Sequence, residues 1–386
     1  MRFSGSLDVK QRSGFEKIRT VTGCTLVGLL VSGLAAGHVF GAPKVRYNLY
    51  FGDLHTHTSY SDGTGTPWDA YAAAIAAGAD FMATTEHDAY GAFWISPEEW
   101  QDSLAAADHY TSRSFVAMAG YEFWIACAGE INVFNTREFP PVPVDPERRK
   151  VPGCHASPQE VLPAFYDWLS EQPGAVGQWN HPTYVSHEFR EFDFFNEQRD
   201  VGMGLIEVWN DSWFYTEDSY VNALDAGWHV MPAANADTHT DDWISGLPLR
   251  TVLLARQLTP EALYEAMAAR RGYATVDPNL RIHYTLNGEV MGSTLSPAAT
   301  YQAWVSIEEP DGQAITLVEI VTDGGQVAAS LVADDPVVEW EPTLSSDTAR
   351  YYYVRVMTES NEASVLAPHR GGEGITAVTA PVWTGR

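Results

Sequence analysis

Cysteine is nearly missing from this chain, with three residues in 386. So few thiols cannot staple a disulfide scaffold, and the fold must rest on a packed core. Basic residues are also few, 23 Lys and Arg against 50 Asp and Glu, for a formal charge of −27. So acidic a surface repels phosphate backbones and anionic bilayers. It argues against nucleic acid as a partner and against a stable membrane partner beyond the N-terminal segment. Internal repeats and low-complexity tracts are absent. Histidine is scarce, at 12, so the places where it gathers carry information.

Charge is missing altogether from Thr20 to Pro43. That stretch follows Arg2, Lys10, Arg12, Lys17 and Arg19 and ends in small residues near Gly41-Ala42. A basic region, an apolar run and small residues read as a secretory signal over residues 1–42. This predicts a periplasmic or secreted protein. The same stretch is long enough to remain as an uncleaved anchor. Its removal leaves Cys127 and Cys154, either side of the Pro-rich run Phe139 to Pro146. In an oxidising compartment the two form a bridge; the alternative is two separate buried thiols.

Short β-branched or aromatic runs alternate with helical patterns. Strands are predicted at Tyr47–Asp53, Ala79–Thr85, Phe115–Glu122, Ile131–Asn135, Ala175–Asn180, Gly204–Trp209 and Val230–Ala236. Helices are predicted at Pro67–Ala77, Pro97–Ser112, Pro158–Gln172, Thr216–Ala226 and Pro260–Arg271, most of them with Ser or Thr as N-cap. Strand–helix alternation implies an α/β fold, a parallel sheet or barrel. From about residue 280 the helices stop. Ile282–Leu286, Tyr301–Ile307, Leu317–Thr322, Val337–Glu341 and Arg350–Thr358 read as strands separated by turns. The expected organisation is an α/β barrel over residues 43–279 and a small, sandwich-like all-β domain over 280–386.

The scarce histidines fall at strand ends. His55 and His57 follow the first strand, His87 the second, His181 the fifth and His239 the seventh, with Glu122 ending the third. In an α/β barrel the C-terminal strand ends converge on one face, so these residues would share one cleft. An extended His-x-His puts both imidazoles on one side, suited to sharing a Zn, Mn or Fe ion. Asp62 follows in a tight Ser-Asp-Gly turn, and Asp237-Thr-His239 repeats the same-side logic. Trp124, Trp179, Trp209, Trp213 and Trp243 lie near the same strand ends. They serve either as core or as walls for a ring-bearing small-molecule substrate.

The ordered series His-x-His, Ser-Asp-Gly, Glu-His-Asp, Gly-Tyr-Glu, Asn-His-Pro and Asp-x-His resembles the polymerase-and-histidinol-phosphatase (PHP) superfamily of metal-dependent hydrolases. Phe51-Gly-Asp-Leu-His-Thr-His-Thr and Leu258-Thr-Pro-Glu-Ala-Leu-Tyr-Glu-Ala-Met resemble its secreted branch related to carbaryl hydrolase. The resemblance implies a distorted seven-stranded (β/α) barrel holding two or three divalent metals. By that scheme His55, His57, Glu122 and Asp237 hold one metal, and Glu122 bridges to a second that also takes His181. Asp62, His87 and His239 hold a third.

One position departs from the pattern. The family often has a His after the bridging Glu, where this chain has Glu130 in Gly129-Glu-Ile-Asn-Val. As a harder donor it either shifts the preference toward Mn or Fe or leaves the second site weak. Glu86 would support the ligands from behind. His155 is a candidate general acid, with a plain loop histidine as the alternative. Arg250 is a candidate partner for an anionic substrate, with a structural role as the alternative. The implied activity is hydrolysis of phosphoesters or, as in the branch, of carboxyl ester, carbamate or amide bonds. The contrasting possibility is a non-catalytic envelope or carbohydrate-binding protein with a degenerate metal site.

Overall fold

The computed structural model describes residues 46–88, 95–125, 128–140, 158–182, 188–211, 214–345, 348–359 and 374–385. The N-terminal segment 1–42, Cys127, Cys154, His155 and Trp213 lie outside the described residues.

Seven strands form where runs of apolar and β-branched residues predict them. They are β1 (Asn48–Asp53), β2 (Phe81–His87), β3 (Val116–Ile125), β4 (Gly129–Phe134), β5 (Val176–Trp179), β6 (Met203–Asn210) and, after the two-residue β7 (Phe214–Tyr215), β8 (Met231–Asn235). β1, β2 and β3 are parallel, as are β5, β6 and β8. β4 runs antiparallel between the two groups.

Helices lie between strands and start where their caps dictate. α1 (Pro67–Ala76) begins after Thr66, whose side chain accepts from the Asp69 N–H while Asp69 reaches back to the cap. α2 (Pro97–Tyr110) repeats the device with Ser96 and Glu99. α3 (Pro158–Glu171), the single-turn α4 (Glu197–Asp200) and α5 (Glu217–Asp225) follow. α6 (Pro260–Ala268) ends three residues before the expected Arg271. There Arg270 takes a left-handed φ of 54°, and its guanidinium is spent on the carbonyls of His229 and Met203, 2.8 and 3.1 Å away. Gly272, expected as the stop, instead opens a strand.

The sheet does not close by a continuous ladder. Among the described residues β1 and β8 share no ladder, and their backbones pair beyond the strand ends at an isolated bridge between Thr56 and Thr238. At the opposite end β9 (Arg250–Ala255) pairs antiparallel with β1 from Asn48 to Gly52. β9 and β10 (Gly272–Thr275), which pairs with it, were not expected as strands.

The chain after residue 280 is β-rich, as predicted, but it does not stand apart. Strand 375–379 pairs with β10, placing Tyr273 opposite Thr379, and strands 351–358, 315–322 and 326–335 follow outward. Among the described residues fifteen strands thus share one sheet. A second sheet of five, including 281–286, 300–308 and 337–340, is built only from the tail. Ile282 and Tyr284 of the second sheet share one buried cluster with Val318, Val354 and Val356 of the first. No helix among the described residues is long and apolar enough to cross a membrane.

Glu217, at the start of α5, ties the two regions. It is buried and accepts from Tyr215 Oη at 2.7 Å, from Tyr353 Oη and from Arg355 Nη1 at 2.7 Å. Glu217→Ala would deprive the buried Tyr215 and Tyr353 hydroxyls of this acceptor and leave Arg355 to Glu319, 2.9 and 2.6 Å from its Nε and Nη2. We expect a loss of about 2 kcal/mol in unfolding free energy, measured by denaturant titration. A loss below about 0.5 kcal/mol, the range of a neutral surface change, would contradict this role.

Candidate metal centre

Backbone hydrogen bonds hold the residues after β1 extended. The Thr85 N–H donates to Thr56 O at 2.8 Å, and the His57 N–H to Thr238 O at 2.9 Å. Alternation then turns both His55 and His57 inward, and both rings are buried. Their Nε2 atoms are 3.2 Å apart. The chain next folds back through Ser61 and Gly63, whose N–H groups both donate to Thr58 O. A Cβ at Gly63 would sit 2.7 Å from His57 O, so only glycine lets the turn lie this close. Glu86 braces it, accepting from Thr58 Oγ1 at 2.6 Å and Ser61 Oγ at 2.5 Å. The turn brings Asp62 Oδ1 to 3.9 Å from His57 Nδ1 and 3.2 Å from His239 Nε2.

Register supplies the rest. His87 and Glu122 are directly paired neighbours on β2 and β3, and Glu130 lies across the β3–β4 ladder opposite Trp124. His181 and Asp237 stand just beyond β5 and β8 and adopt left-handed φ of 31° and 49°. For non-glycine residues this costs of order 1–3 kcal/mol each and is seen where function demands a direction.

All nine residues predicted as ligands share this cleft, in three overlapping groups. In the first, His55 Nε2 and His57 Nε2 each lie 3.1–3.2 Å from Asp237 Oδ1 and 3.2 Å from a Glu122 oxygen. In the second, His181 Nε2 lies 3.5 Å from Glu122 Oε1 and 3.3 Å from Glu130 Oε2. In the third, Asp62, His87, His239 and His57 present donors within 4.8 Å of one another. His87 also turns Nδ1 to Glu122 Oε2, 3.1 Å away, so it stands between groups.

The donor set fits divalent cations. Four carboxylates and five imidazoles converge in a mostly buried space. Two tetrahedral ligands with bonds of about 2.0–2.1 Å lie about 3.3 Å apart, the separation seen in the first group. Asp237 Oδ1 and His87 Nδ1 are buried, and their close approaches to His55, His57 and Glu122 lack hydrogen-bond geometry, as suits atoms aimed at a shared ion.

In the cation-free cluster protons take that role. Burial alone lowers the imidazoles, but the carboxylates outweigh it. Asp237 and Glu122 raise His57 to about 10, and Glu122 and Glu130 raise His181 to about 9. His55 is likewise raised. His87, more dominated by burial, is lowered. Burial and the Glu122 charge push Glu130 up to about 8. Asp62 is lowered, because hydrogen bonding to His239 and the nearby imidazoles outweigh its burial.

Arg250 does not join this group. Its guanidinium donates to the carbonyls of Ile244, Leu247 and Leu249 at 3.0, 3.0 and 2.6 Å and pins the loop that enters β9. Trp179, Trp209 and Trp243 are buried. Trp179 packs on Tyr166 and Trp228, and Trp243 donates to His57 O at 3.2 Å. Trp124 is partly exposed.

Sequence reasoning missed the polar layer under the donors. Asn180 Nδ2 donates to Glu122 Oε1 at 2.7 Å and to Asn132 Oδ1 at 2.9 Å. Asp53 accepts from the N–H groups of His55 and Ala236. Glu207 accepts from His55 and from the His181 N–H. A carboxylate inside the otherwise apolar run Met203–Trp209 was the available signal for Glu207.

No family model matches the chain, and no curated protein matches it. Solved structures resemble it loosely. One is a two-domain protein from Bacteroides vulgatus ATCC 8482 containing a predicted PHP-like metal-dependent phosphoesterase. It is 16% identical over 89% of this chain and 98% of its own, with a TM-score of 0.46. A lesion-specific endonuclease from Pyrococcus furiosus is 12% identical over 57% of this chain and 56% of its own, with a TM-score of 0.37. An amidohydrolase from Chromobacterium violaceum is 17% identical over 49% of this chain and 87% of its own, with a TM-score of 0.30.

Because His57 and His181 are raised to about 10 and about 9, both carry protons at neutral pH before a cation enters. Cation binding must expel them. Affinity for Mn²⁺ should therefore rise from pH 6 to pH 9, with proton release near pH 7. Calorimetry in buffers of differing ionisation enthalpy measures that release. A pH-independent affinity would contradict the electrostatics described here.

Proposed function

We propose that this protein is a metal-dependent hydrolase that cleaves phosphoester bonds in a small-molecule substrate. One observation carries the reading: nine ligand-type side chains from six of the strands or the segments after them share one cleft, with the buried carboxylate of Glu122 among them. His55, His57, Glu122 and Asp237 would hold one cation; Glu122, Glu130 and His181 a second; and Asp62, His87 and His239 a third. A divalent cation bound there supplies Lewis acidity, acidifying water to a nucleophile at neutral pH and neutralising charge on ester oxygens.

The side chains divide the remaining work. His55, His57 and Glu122 form a floor sealed from solvent. Asp62, Glu130 and His239 are partly exposed, with 29, 24 and 38% of their side-chain surfaces open, so substrate approaches across them. Asp62 orients His239 by accepting from it, and Glu86 keeps Asp62 over the floor through Ser61 and Thr58. With Arg250 committed to backbone carbonyls, a substrate's negative charge would be met by the cation cluster itself. Several cations match a phosphoryl transition state, whose charge is spread over several oxygens. The choice of Mn, Zn or Fe, a periplasmic or secreted location, and kinship with the secreted carbaryl-hydrolase-like branch belong to the same proposal.

Two measurements test it. Purified protein supplied in turn with Mn²⁺, Zn²⁺ and Fe²⁺ should hydrolyse aryl phosphate mono- or diesters faster than aryl carbamates or carboxyl esters. The reverse order would move the assignment to carbonyl chemistry, and inactivity on every ester without metal uptake would reject an enzyme. His57→Ala should lower kcat/KM by at least about 100-fold, about 2.7 kcal/mol of transition-state stabilisation, and reduce bound metal by mass spectrometry. Unchanged activity and metal content would remove His57 from the centre.

A further inference from the structure

Glu207 sits in the middle of β6, fully buried, and its two oxygens face five nitrogens. Oε1 is 3.0 Å from His55 Nδ1, 2.8 Å from Asn235 Nδ2 and 3.3 Å from Gln178 Nε2. Oε2 accepts from the His181 N–H at 2.8 Å and from Asn210 Nδ2 at 2.9 Å. The last four are N–H donors. A carboxylate among them can only accept, so the proton on His55 belongs at Nδ1. When His55 is neutral, as a ligand must be, that leaves the Nε2 lone pair facing Glu122, Asp237 and His57, where the first donor group converges.

The same carboxylate reaches the second group through the backbone. His181 holds a left-handed φ of 31°, and its N–H is anchored by Glu207 Oε2. Asn210 Nδ2 lies between Glu207 Oε2 and Asp237 Oδ2, 3.4 Å from the latter, which links a third ligand. Asn235, a Glu207 partner, also accepts from the Leu54 N–H, one residue before His55.

We propose that Glu207 is a positioning residue of the metal centre. It fixes His55 in the Nδ1–H tautomer and seats His181, so it sets cation affinity in the first and second groups together. The inference rests on the metal-centre reading above and deepens it. Carboxylates placed behind ligating imidazoles act in this way in metal sites generally; here one carboxylate serves two groups.

Glu207→Gln preserves the shape but turns an amide NH₂ toward N–H donors. Mn²⁺ titration of the full chain should show affinity at both groups lowered about 10–100-fold, with the far-ultraviolet circular dichroism of the cation-free protein unchanged. A variant that is less stable yet binds Mn²⁺ as tightly as the wild type at both groups would reduce Glu207 to a structural brace and overturn the inference. A second measurement needs no variant. In wild-type protein labelled with ¹⁵N-histidine and loaded with Zn²⁺, His55 should show a protonated Nδ1. A protonated Nε2 would overturn the inference even if Glu207→Gln fails to fold. Wild-type protein that takes up neither ion would overturn the metal-centre reading and this inference with it. Uptake by the wild type with an unaltered Glu207→Gln overturns this inference alone.

Discussion

A carboxylate stripped of water needs compensating positive charge, and Glu122 is almost fully buried among four imidazoles. His55, His57, His87 and His181 each place a nitrogen within 3.1–3.5 Å of its oxygens. Those rings come from residues at or beyond the ends of β1, β2 and β5, so the charge requirement can be met only if the sheet rolls until the strand ends meet. Protons satisfy the requirement at one extreme and divalent cations at the other. The cleft is thus an arrangement of donors built around one buried negative charge.

Holding that arrangement requires local strain, and the strain lies at the ligands themselves. Both His181 and Asp237 adopt left-handed backbone to aim their side chains inward. Both are locked by neighbours. The His181 N–H is taken by Glu207, and Asp237 sits next to Thr238, whose carbonyl accepts from the His57 N–H. The turn carrying Asp62 is held by Glu86 and depends on the missing side chain at Gly63. Neighbouring groups therefore over-determine each donor, which is what a site must do to keep like charges close.

The seven strands were legible in their apolar runs, and eight of the nine residues that meet in the cleft stood out as scarce histidines and carboxylates at strand ends or in the turn after β1. Glu130 had no such local mark and entered only through the family resemblance. β9 and β10 were not legible, because Arg250–Ala255 and Gly272–Thr275 are short and adjoin helical or loop patterns. Strand 326–335 was missed for a different reason. It is an edge strand that half-buries only Ala329, Leu331 and Ala333, and the exposed, apolar Val332 between them blurs that alternation in the sequence. Of the two roles open to Arg250 in the sequence, the structural one is favoured by the three carbonyls of its own entering loop that accept from it. The Asn180, Asn132 and Glu207 layer was illegible because its members acquire meaning only from partners as far as 152 residues away, as Glu207 does from His55. No spacing rule records such pairs.

The position of strand 375–379 has a consequence for how the molecule comes into being. It covers β10, which covers β9, which in turn borders β1 and the start of the donor cleft. Tyr273 and Thr379, opposite each other in that pairing, are far apart in the chain, and such long-range pairings are slow to close. Until strand 375–379 docks, β10 carries a row of unpaired backbone groups, the kind of edge onto which a strand of another chain can add.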